Sequence, residues 1–523
     1  MSDMSREWVG SQQPPEQRGS RRGSTSKVLF GAVALGVVLL GASAAFAVQA
    51  LSGGGSQPES AVPDEVALFA SVDLDPSAEQ KVNAVQLLRR VPEFEDETGI
   101  SSDKDDLRKT LYEALVEDAQ TSGSDGQRCP SYEDGVQPWL GDRAGFGAMP
   151  AADGGEPEAL VVVQVTDADV AKDSIETLAT CVGETSPGVT FAGDYALVAE
   201  TQQLADDFAE AAADAPLADN ADYVADMDAV GGKGIVSGWA NLKTLVDATL
   251  DGEEAATAEA FGLGGATSVA MAMRAGSDNL ELAVAANGEV LTEDSETTSF
   301  GALPESTMFG FGFTGGAERV QAAWEKAQES LADNESFDAQ EFADLVQTQT
   351  GFVVPDDLAT LFGDDFVFAL DAAAVELDES GQPDPSTLRM GMRTSSELDD
   401  VQALTTRLEA ALASVAPVDL IERESDRGTV VAFNDEYAEA LADSDGLTDS
   451  DNYQAAVADH DSATGVFFAD FDLMLAFADK AGAADGDLMA DNDRKTLQVL
   501  RSFGVSGARD GDYSTATVRL VFD

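Results

Sequence analysis

Histidine limits the chemistry that this chain could perform. The sequence contains one histidine, His460, so it can form neither a two-histidine zinc site nor an H-E-x-x-H helix. A Ser-His-Asp triad would have to use the same residue, and the sequence has no G-x-S-x-G nucleophile elbow. His460 lies in the polar stretch VADHDSATG ahead of a strand-like segment, which indicates a solvated loop residue. The sequence therefore singles out no catalytic residue and no metal ligand.

Two short motifs could carry chemistry but lack the residues that normally accompany them. Ser101 and Lys104 have the spacing of a serine–lysine pair, yet the S-D-N and K-T-G companions are missing. GFGFTG, from Gly310 to Gly315, fits the dinucleotide motif G-x-G-x-x-G. Its glycines, however, alternate with phenylalanines, as the two faces of one strand would. The alternation favours close packing of a strand, and we predict no cofactor.

The charge of the chain argues against one whole class of partner. With 97 acids against 30 bases the formal net charge is −67, which repels phosphate backbones and argues against nucleic-acid binding. The acid excess indicates a well-solvated, salt-tolerant surface or, alternatively, binding of divalent cations. Asp443–Asp451, DSDGLTDSD, resembles a calcium-binding loop only in composition. So many carboxylates offer too many pairs to single out the acid and base of a glycosidase.

An uncharged segment near the N-terminus predicts a membrane anchor. Val28–Val48 carries no charge over 21 residues, which is enough to cross a bilayer. Bases precede it and acids dominate after it, so the positive-inside rule places residues 1–27 in the cytoplasm and the bulk of the chain outside the membrane. Ala45-Phe46-Ala47 also fits a signal-peptidase site, which leaves cleavage open. Residues 49–60, rich in glycine and serine, predict a flexible spacer.

The rest of the chain repeats itself, which suits a length of 523 residues that exceeds one ordinary core. Six segments recur in the same order, with offsets between 222 and 252. Pro63 matches Pro304, for example, and Tyr223 matches Tyr453. Drifting offsets are what insertions and deletions in loops produce. We therefore predict two homologous extracytoplasmic halves, residues 61–299 and 300–523.

Hydrophobic periodicity gives the same order of elements in each half. Strand-like alternation and helical spacing follow one another as β-α-β-β-α-β, the split βαβ unit, and then as β-α-β-β. Leu398, Val401, Leu404 and Leu408, for example, lie on one face of a helix. Hydrophobic residues make up 44% of the chain, enough for a folded core. The sequence thus predicts an α+β fold with largely antiparallel sheets and helices on one face.

A Gly-Asp pair occupies the same point of both halves, where a connection leads into a strand. Gly141-Asp142 belongs to WLGDRAGFGAM, and Gly363-Asp364 belongs to LFGDDFVFAL. A glycine there permits a positive φ, and the aspartate can bond a nearby backbone amide. One active site rarely needs the same acid at two pseudo-symmetric positions. We therefore interpret both pairs as structural turns rather than as catalytic acids.

These segments resemble a known family, the membrane-anchored actinobacterial proteins of domain of unknown function 3352. The resemblance lies in the single N-terminal anchor, in FASVDLDPSAEQKVNAVQLLRRVPEF (Phe69–Phe94) and in WLGDRAGFGAM (Trp139–Met149). It covers nearly everything after the spacer. It implies a bacterial envelope protein and supplies no catalytic residues.

The two cysteines, Cys129 and Cys181, predict one disulfide. Cys129 lies in a segment that the second half lacks, and Cys181 follows a helix that both halves share. An extracytoplasmic location permits oxidation, and no cysteine is left over. Two free thiols are the alternative.

Together these features predict a membrane-tethered extracytoplasmic protein that binds an envelope ligand or partner without catalysis. A structural or cation-binding surface protein is one alternative. A carboxylate-dependent cell-wall hydrolase is the other, and it requires two convergent carboxylates within about 10 Å.

Overall fold

The structure, a computed structural model, describes most of the chain after residue 55. The cytoplasmic tail (1–27), the anchor (28–48) and the first part of the spacer (49–55), all predicted from sequence, lie outside the described residues. No helix among the described residues is long and apolar enough to cross a membrane. The described residues are 56–73, 129–150, 157–181, 186–249, 265–288, 296–330, 339–372, 387–412, 419–485 and 491–523, with single positions and short runs between 82 and 116.

Among the described residues, sixteen strands form one sheet in which every neighbouring pair is antiparallel. With its helices the protein has an α+β fold. The strands are β1 (Leu68–Asp73), β2 (Leu140–Met149), β3 (Glu158–Val165), β4 (Gly188–Ala192), β5 (Tyr195–Ala199), β6 (Val236–Asn241), β7 (Ala266–Ala275), β8 (Asn279–Gly288), β9 (Thr307–Thr314), β10 (Asp365–Asp371), β11 (Met390–Thr394), β12 (Ile421–Ser425), β13 (Gly428–Ala432), β14 (Gly465–Asp470), β15 (Leu500–Asp510) and β16 (Tyr513–Phe522).

Side-chain caps define where several helices begin. The Thr201 hydroxyl accepts the amide of Leu204, and the Asn434 side chain accepts the amide of Tyr437, so each satisfies one of the free N–H groups of a first turn. The described α-helices are α1 (Tyr132–Gly135), α2 (Ala168–Cys181), α3 (Gln202–Asp214), α4 (Ala221–Ala229), α5 (Leu242–Thr249), α6 (Gly316–Ser330), α7 (Ala339–Thr350), α8 (Asp356–Phe362), α9 (Leu398–Leu412), α10 (Asp435–Asp443), α11 (Asp451–Ala456), α12 (Phe471–Asp485) and α13 (Asp491–Leu497).

The sheet consists of two eight-stranded blocks with the same strand order. Across the first block the order is β4-β5-β3-β2-β1-β6-β7-β8, and across the second it is β12-β13-β11-β10-β9-β14-β15-β16. The blocks join where β8 pairs with β16, with Ala283 opposite Thr517 near the middle. The paired region extends four residues to each side of this pair, to Asn279 opposite Val521 at one end and Asn287 opposite Tyr513 at the other.

Each block contains one strand more than the predicted β-α-β-β-α-β unit. In the first block β4 forms a hairpin with β5 around Gly193, which has a φ of +56°, and β12 forms the corresponding hairpin with β13. These strands have only five residues and sit at the outer edges of the sheet, so their hydrophobic alternation is weak. The observed order is therefore β-α-β-β-α-β-β, then two helices that the prediction lacked (α3 and α4 in the first block, α10 and α11 in the second), then β-α-β-β.

Helices pack on both faces of the sheet, so the prediction that they cover one face is wrong. We call the side of Phe69 face A and the side of Val72 face B. On β3, Leu160 and Val162 point to face A and pack with Phe208 of α3, whereas Val163 and Val165 point to face B and pack with Ile175 of α2. A strand that is covered on both sides carries apolar residues at every position, so its sequence does not show on which side a helix lies.

The larger core clusters of the two blocks both lie on face A, and a short 3-10 helix closes each of them. Pro58–Ala61 does so in the first block and Ser299–Ala302 in the second, where Phe300 is fully buried. Residues 56–60, which the sequence assigned to the spacer, are attached to this core: Pro58 and Glu59 are buried, and the Tyr195 hydroxyl donates a 2.8 Å hydrogen bond to the carbonyl of Ser56.

Candidate functional site

The first Gly-Asp pair lies at the start of β2. A Cβ added to Gly141 would lie 2.7 Å from Cγ and 2.9 Å from the carbonyl oxygen of Gln164, so close approach of β3 requires glycine here. The amide of Asp142 donates to Oε1 of Gln164 at 3.0 Å, and its carboxylate accepts from Nη1 of Arg108 at 3.1 Å. The pair therefore connects β2 to β3 through Gln164 and to the preceding segment through Arg108.

The second Gly-Asp pair follows α8 and has the positive backbone angle. Gly363 has a φ of 55°, and the amide of Asp364 donates to Oγ of Ser395 at 2.7 Å. The carboxylate that accepts a backbone amide is that of the next residue, Asp365, which binds the amide of Ser299 at 3.3 Å. The two glycines are thus required for different reasons, one by a close approach and the other by its φ.

The two Gly-Asp pairs belong to different places in the sheet. β2 and β10 are nine strand spacings apart in the strand order, which corresponds to roughly 40 Å. Gly141 and Asp142 therefore cannot share a site with Gly363 and Asp364.

The two cysteines meet on the first block. The Sγ atoms of Cys129 and Cys181 are 2.14 Å apart and their Cα atoms 5.2 Å, which is disulfide-bonding distance. Cys129 precedes α1 and Cys181 ends α2. Tyr132 and Trp139 pack against Ala171 of α2 beside this pair, so residues 129–139, the described end of the segment that the second half lacks, lie on face B.

Two aspartates of a repeated DDL sequence, Asp106 (in 105–107) and Asp357 (in 356–358), each bind an arginine. Asp106 accepts Nε of Arg108 at 2.9 Å and the Tyr132 hydroxyl at 2.7 Å, whereas Asp357 accepts Nη2 of Arg407 at 2.8 Å. Burial works to raise the pKa of Asp106, but the hydrogen bonds from Arg108 and Tyr132 outweigh it and lower that pKa. The arginines come from unrelated positions, so the repeat could not reveal these pairs.

A buried carboxylate lies where the two blocks meet on face A. Asp226 of α4 is fully buried and accepts hydrogen bonds from Trp239 Nε1 at 2.7 Å, from the Tyr513 hydroxyl at 2.9 Å and from Asn287 Nδ2 at 3.4 Å. Burial and the hydrogen bond to Asp226 raise the pKa of Tyr513 to about 12. Three neutral donors from two blocks thus bind one carboxyl group in the interior.

The corresponding position of the second block is apolar. Tyr223 matches Tyr453, an offset of 230 (453 − 223), which places Asp226 on Ala456. The offset of 241 matches Phe69 with Gly310 (310 − 69). Trp239 lies opposite Phe69 and Phe468 lies opposite Gly310, so Trp239 corresponds to Phe468. Ala456 and Phe468 are fully buried core residues. Packing alone therefore does not require a carboxylate at this point of the architecture.

Two further carboxylates on face A of the first block, Glu59 and Glu281, form ion pairs. Glu59 is buried and its Oε1 accepts Nζ of Lys233, while burial lowers the pKa of Lys233 to about 8. Glu281 of β8 accepts Nη2 of Arg519 at 2.8 Å and Nη1 of Arg274 at 3.3 Å, which ties β16 to the first block. Sequence reasoning missed these groups because isolated charges in an acid-rich chain carry no pattern.

The described part of the chain offers no metal site. It contains no group of three or more His, Cys, Asp or Glu side chains placed to hold an ion. His460 lies in a turn, as the sequence predicted, but it is less solvated than expected. Its side chain is 27% exposed and packs edge-on against the ring of Tyr453, with the centroids 5.7 Å apart. This histidine therefore contributes to packing.

Face B carries a continuous apolar strip in the middle of the sheet. In β9, Phe309, Phe311 and Phe313 point to face B, whereas Gly310 and Gly312 point to face A, where a Cβ on either would lie 3.0–3.1 Å from the ring of Phe300. The GFGFTG alternation thus serves strand packing. The apolar strip comprises Phe309, Phe311, Phe368, Phe467, Phe503, Val505, Val518, Leu520, Leu280, Leu282 and Val284, all only partly buried.

Ring contacts order the phenylalanines of the apolar strip across four strands. Phe368 lies 5.4 Å from Phe311, Phe309 lies 5.1 Å from Phe467, and Phe467 lies 5.9 Å from Phe503, measured between ring centroids. Phe362 of α8 covers one end of the row through Phe313. Ala84 and Leu87 pack at the other end of the apolar strip, in the cluster that contains Leu280 and Leu520. α12 lies against β15 and β9, two of the strands that carry the apolar strip. The apolar strip itself is aromatic and aliphatic and contains no titratable side chain.

Comparison with known proteins gives no relative: no family model, no curated protein and no solved structure matches this chain.

Proposed function

We propose that this protein is a membrane-tethered extracytoplasmic binding protein that holds an apolar ligand on the apolar strip and performs no catalysis. The observation that carries the proposal is the contrast between the two faces of the central strands. On face A, Gly310, Phe468 and Gly504 are buried against the core, whereas Phe311, Phe467 and Phe503 on face B remain partly exposed. Partly exposed aromatic rings in mutual contact are typical of ligand and partner sites.

The chemistry of the apolar strip favours an apolar occupant. Its strands lie inside the sheet, with β8 and β16 each paired on both sides, so their backbone groups already have partners. An occupant gains free energy mainly by removing apolar surface from water, at roughly 25 cal/mol per Å². A ligand with few hydrogen-bonding groups therefore suits this surface better than a polar one.

We further propose that the two blocks are homologous halves that arose by duplication. Two independent sequence matches support this, the offset of 241 (304 − 63) and the offset of 222 (363 − 141). The first offset matches Asp73 with Thr314, and the second matches Arg143 with Asp365. In the structure Asp73 lies opposite Arg143, and Thr314 lies opposite Asp365, so the two offsets agree on the same strand pairing. The equal strand order of the blocks supports the same origin.

The location is part of the proposal. The uncharged Val28–Val48 segment and the bases before it support an anchor with a cytoplasmic N-terminus, and the resemblance to domain of unknown function 3352 supports a place in a bacterial envelope. No specific feature of the described residues favours a cation-loaded surface protein or a carboxylate-dependent cell-wall hydrolase.

Site-specific photocrosslinking in the native host tests the binding site. Val518 and Thr517 are neighbours on β16 that point to opposite faces, so p-benzoylphenylalanine at either position makes a matched pair. With the full chain in its own membrane, we expect light-dependent adducts at position 518 and none at 517. Equal adducts at both positions, or none at position 518 in a variant with the wild-type melting temperature, would contradict the proposal.

A further inference from the structure

The two outer edges of the sheet differ in whether their backbone groups are covered. β4 is the edge strand of the first block and β12 that of the second. On β4, Oε1 of Gln202 accepts the amide of Val189 at 3.2 Å, and Nε2 of Gln202 donates to the carbonyl of Val189 at 3.1 Å. One glutamine side chain thus takes the place of a neighbouring strand at Val189, which blocks pairing at that position of the edge.

The same position of β12 lacks this cover. Gly188 of β4 lies opposite Ala199, and Ile421 of β12 lies opposite Ala432, so the two hairpins correspond with an offset of 233 (421 − 188). Val189 then corresponds to Glu422, and Gln202, the first residue of α3, corresponds to Asp435, the first residue of α10. A carboxylate cannot donate to a carbonyl, and Asp435 instead lies 3.9 Å from Nη2 of Arg423.

The hairpin geometry shows which groups of β12 face outward. Ser425 and Gly428 close a two-residue turn, so their backbones bond each other, and alternate residues along β12 turn their N–H and C=O groups away from β13. These are Glu422 and Glu424. Among the described residues, neither backbone has a partner on its outer side.

We propose that β12 is a docking edge that pairs with an extended, basic segment of a partner protein. Strand addition supplies the main-chain hydrogen bonds, and side chains at alternate positions supply specificity. Glu422 and Glu424 lie on one face of β12, where Glu424 is exposed and Glu422 is half-buried and accepts a hydrogen bond from the Thr405 hydroxyl. Asp419 and Asp426 lie at the two ends of the strand. Lysine or arginine at alternate positions of the added strand would lie beside these carboxylates, where opposite charges stabilise a cross-strand pair.

The charges of β12 also disfavour its pairing with the β12 strand of a second copy of this chain. An antiparallel pair of two β12 strands centred on Arg423 would place Glu422 directly opposite Glu424 twice, and like charges opposite each other destabilise a sheet. Edge charges commonly protect a sheet from pairing with itself, and the same charges still admit a strand of opposite sign. The occupant is therefore a basic strand from another protein.

Peptide binding to the full chain tests the docking edge. The probe is a fluorescent peptide of alternating lysine and valine, and its control has the same sequence with N-methyl groups on alternate amides, which leaves the charge but removes strand pairing. We expect the unmethylated peptide to bind about tenfold more tightly, the effect of one or two hydrogen bonds. Equal affinities would show that the acidic protein attracts the peptide by charge alone and would overturn the proposal.

Proline substitutions locate the binding to one edge. Glu424→Pro removes an outward N–H without touching the β13 ladder and should abolish the preference for the unmethylated peptide. Phe191→Pro is the matched change on the covered β4 edge and should leave the preference unchanged. A preference that survives Glu424→Pro would overturn the proposal. Slower amide hydrogen exchange at residues 422 and 424 on adding the peptide to wild-type protein checks the same point without a variant, and unchanged exchange there would count against it.

Discussion

The hydroxyl of Tyr513, in the last strand of the chain, donates a hydrogen bond of 2.9 Å to the fully buried carboxylate of Asp226 in the first block. The two residues are 287 positions apart in the sequence. Neither the strand order nor the junction demands this contact, because the corresponding residue of the second block, Ala456, packs in an apolar core. The bond therefore adds a polar link between the blocks to the backbone pairing of β8 and β16.

Removing this link should weaken the fold. Tyr513→Phe takes one donor from a buried carboxyl group, and we expect the free energy of unfolding to fall by about 1–3 kcal/mol, the cost of a buried acceptor that loses its partner. Chemical denaturation of the full chain measures the loss. Tyr437→Phe is the control, because the buried Tyr437 hydroxyl has no hydrogen-bond partner among the described residues. Equal losses in the two variants would show that the bond to Asp226 contributes nothing specific.

The glycine of the second Gly-Asp pair should tolerate alanine less well than a glycine with the same backbone angle in open space. Gly363 has a φ of +55° and Gly193 a φ of +56°, but only a Cβ on Gly363 would come within 2.5 Å of Oγ of Ser395. We expect Gly193→Ala to cost about 1–2 kcal/mol. Gly363→Ala should cost about 1–3 kcal/mol more, from overpacking and from a ψ of −158° that leaves Gly363 outside the left-handed helical region. Thermal unfolding compares the two, and similar losses would rule out the steric contribution.

The Asp106–Arg108 pair should stabilise the protein only while Asp106 is ionised. The folded pKa of Asp106 lies below its ordinary value, so the pair contributes fully at pH values above about 4 and the contribution disappears as the pH falls through the folded pKa. Arg108→Gln should cost about 1–3 kcal/mol at pH 7 and much less near pH 2. Lys109→Gln, which removes an exposed ion pair with Glu133, should change stability little at either pH. A pH-independent cost for Arg108→Gln would contradict this account.

Cys129 and Cys181 should be oxidised in protein exported from its own host. Mass spectrometry of a non-reduced digest should find the two cysteine peptides linked. Their separation of 52 residues predicts that reduction lowers the free energy of unfolding by about 3–4 kcal/mol through the entropy of the unfolded chain. The double variant Cys129→Ala/Cys181→Ala, which needs no reductant, should show the same loss. Complete alkylation of both thiols before reduction would falsify the prediction.

The orientation of the chain can be tested with intact cells. If Val28–Val48 is an uncleaved anchor, protease added to spheroplasts should digest the protein beyond about residue 60 and spare the tail at residues 1–27. Antibodies against tags at the two ends read out the result. A protected C-terminal tag would reverse the orientation, and loss of the N-terminal tag before any protease is added would indicate cleavage after Ala47 instead.

The amino-acid sequence was sufficient to predict those features that leave a local or repeated pattern. Alternating and helical periodicities predict an α+β protein, and the alternation of GFGFTG predicts the two faces of β9. The match of Pro63 with Pro304 and that of Gly141 with Gly363 agree with the strand register, because each lies at the rim of a paired strand where the chain has little freedom to slip.

Only the tertiary structure decided register and face where a strand is covered on both sides. LVVVQVTDADV (160–170) matches LRMGMRTSSEL (388–398) in sequence, which places Leu160 on Leu388. Strand pairing gives a different correspondence. Leu160 lies opposite Gly147 and Gly391 lies opposite Ala369, so Leu160 corresponds to Gly391. A slip of three residues exchanges the two faces of a strand, and β3, which is apolar at successive positions, gives no pattern to detect it. The partners of Asp226 and the uncovered edge of β12 were beyond the sequence for a related reason. Hydrogen bonds between residues far apart in the chain depend on distances that exist only after the two blocks have paired.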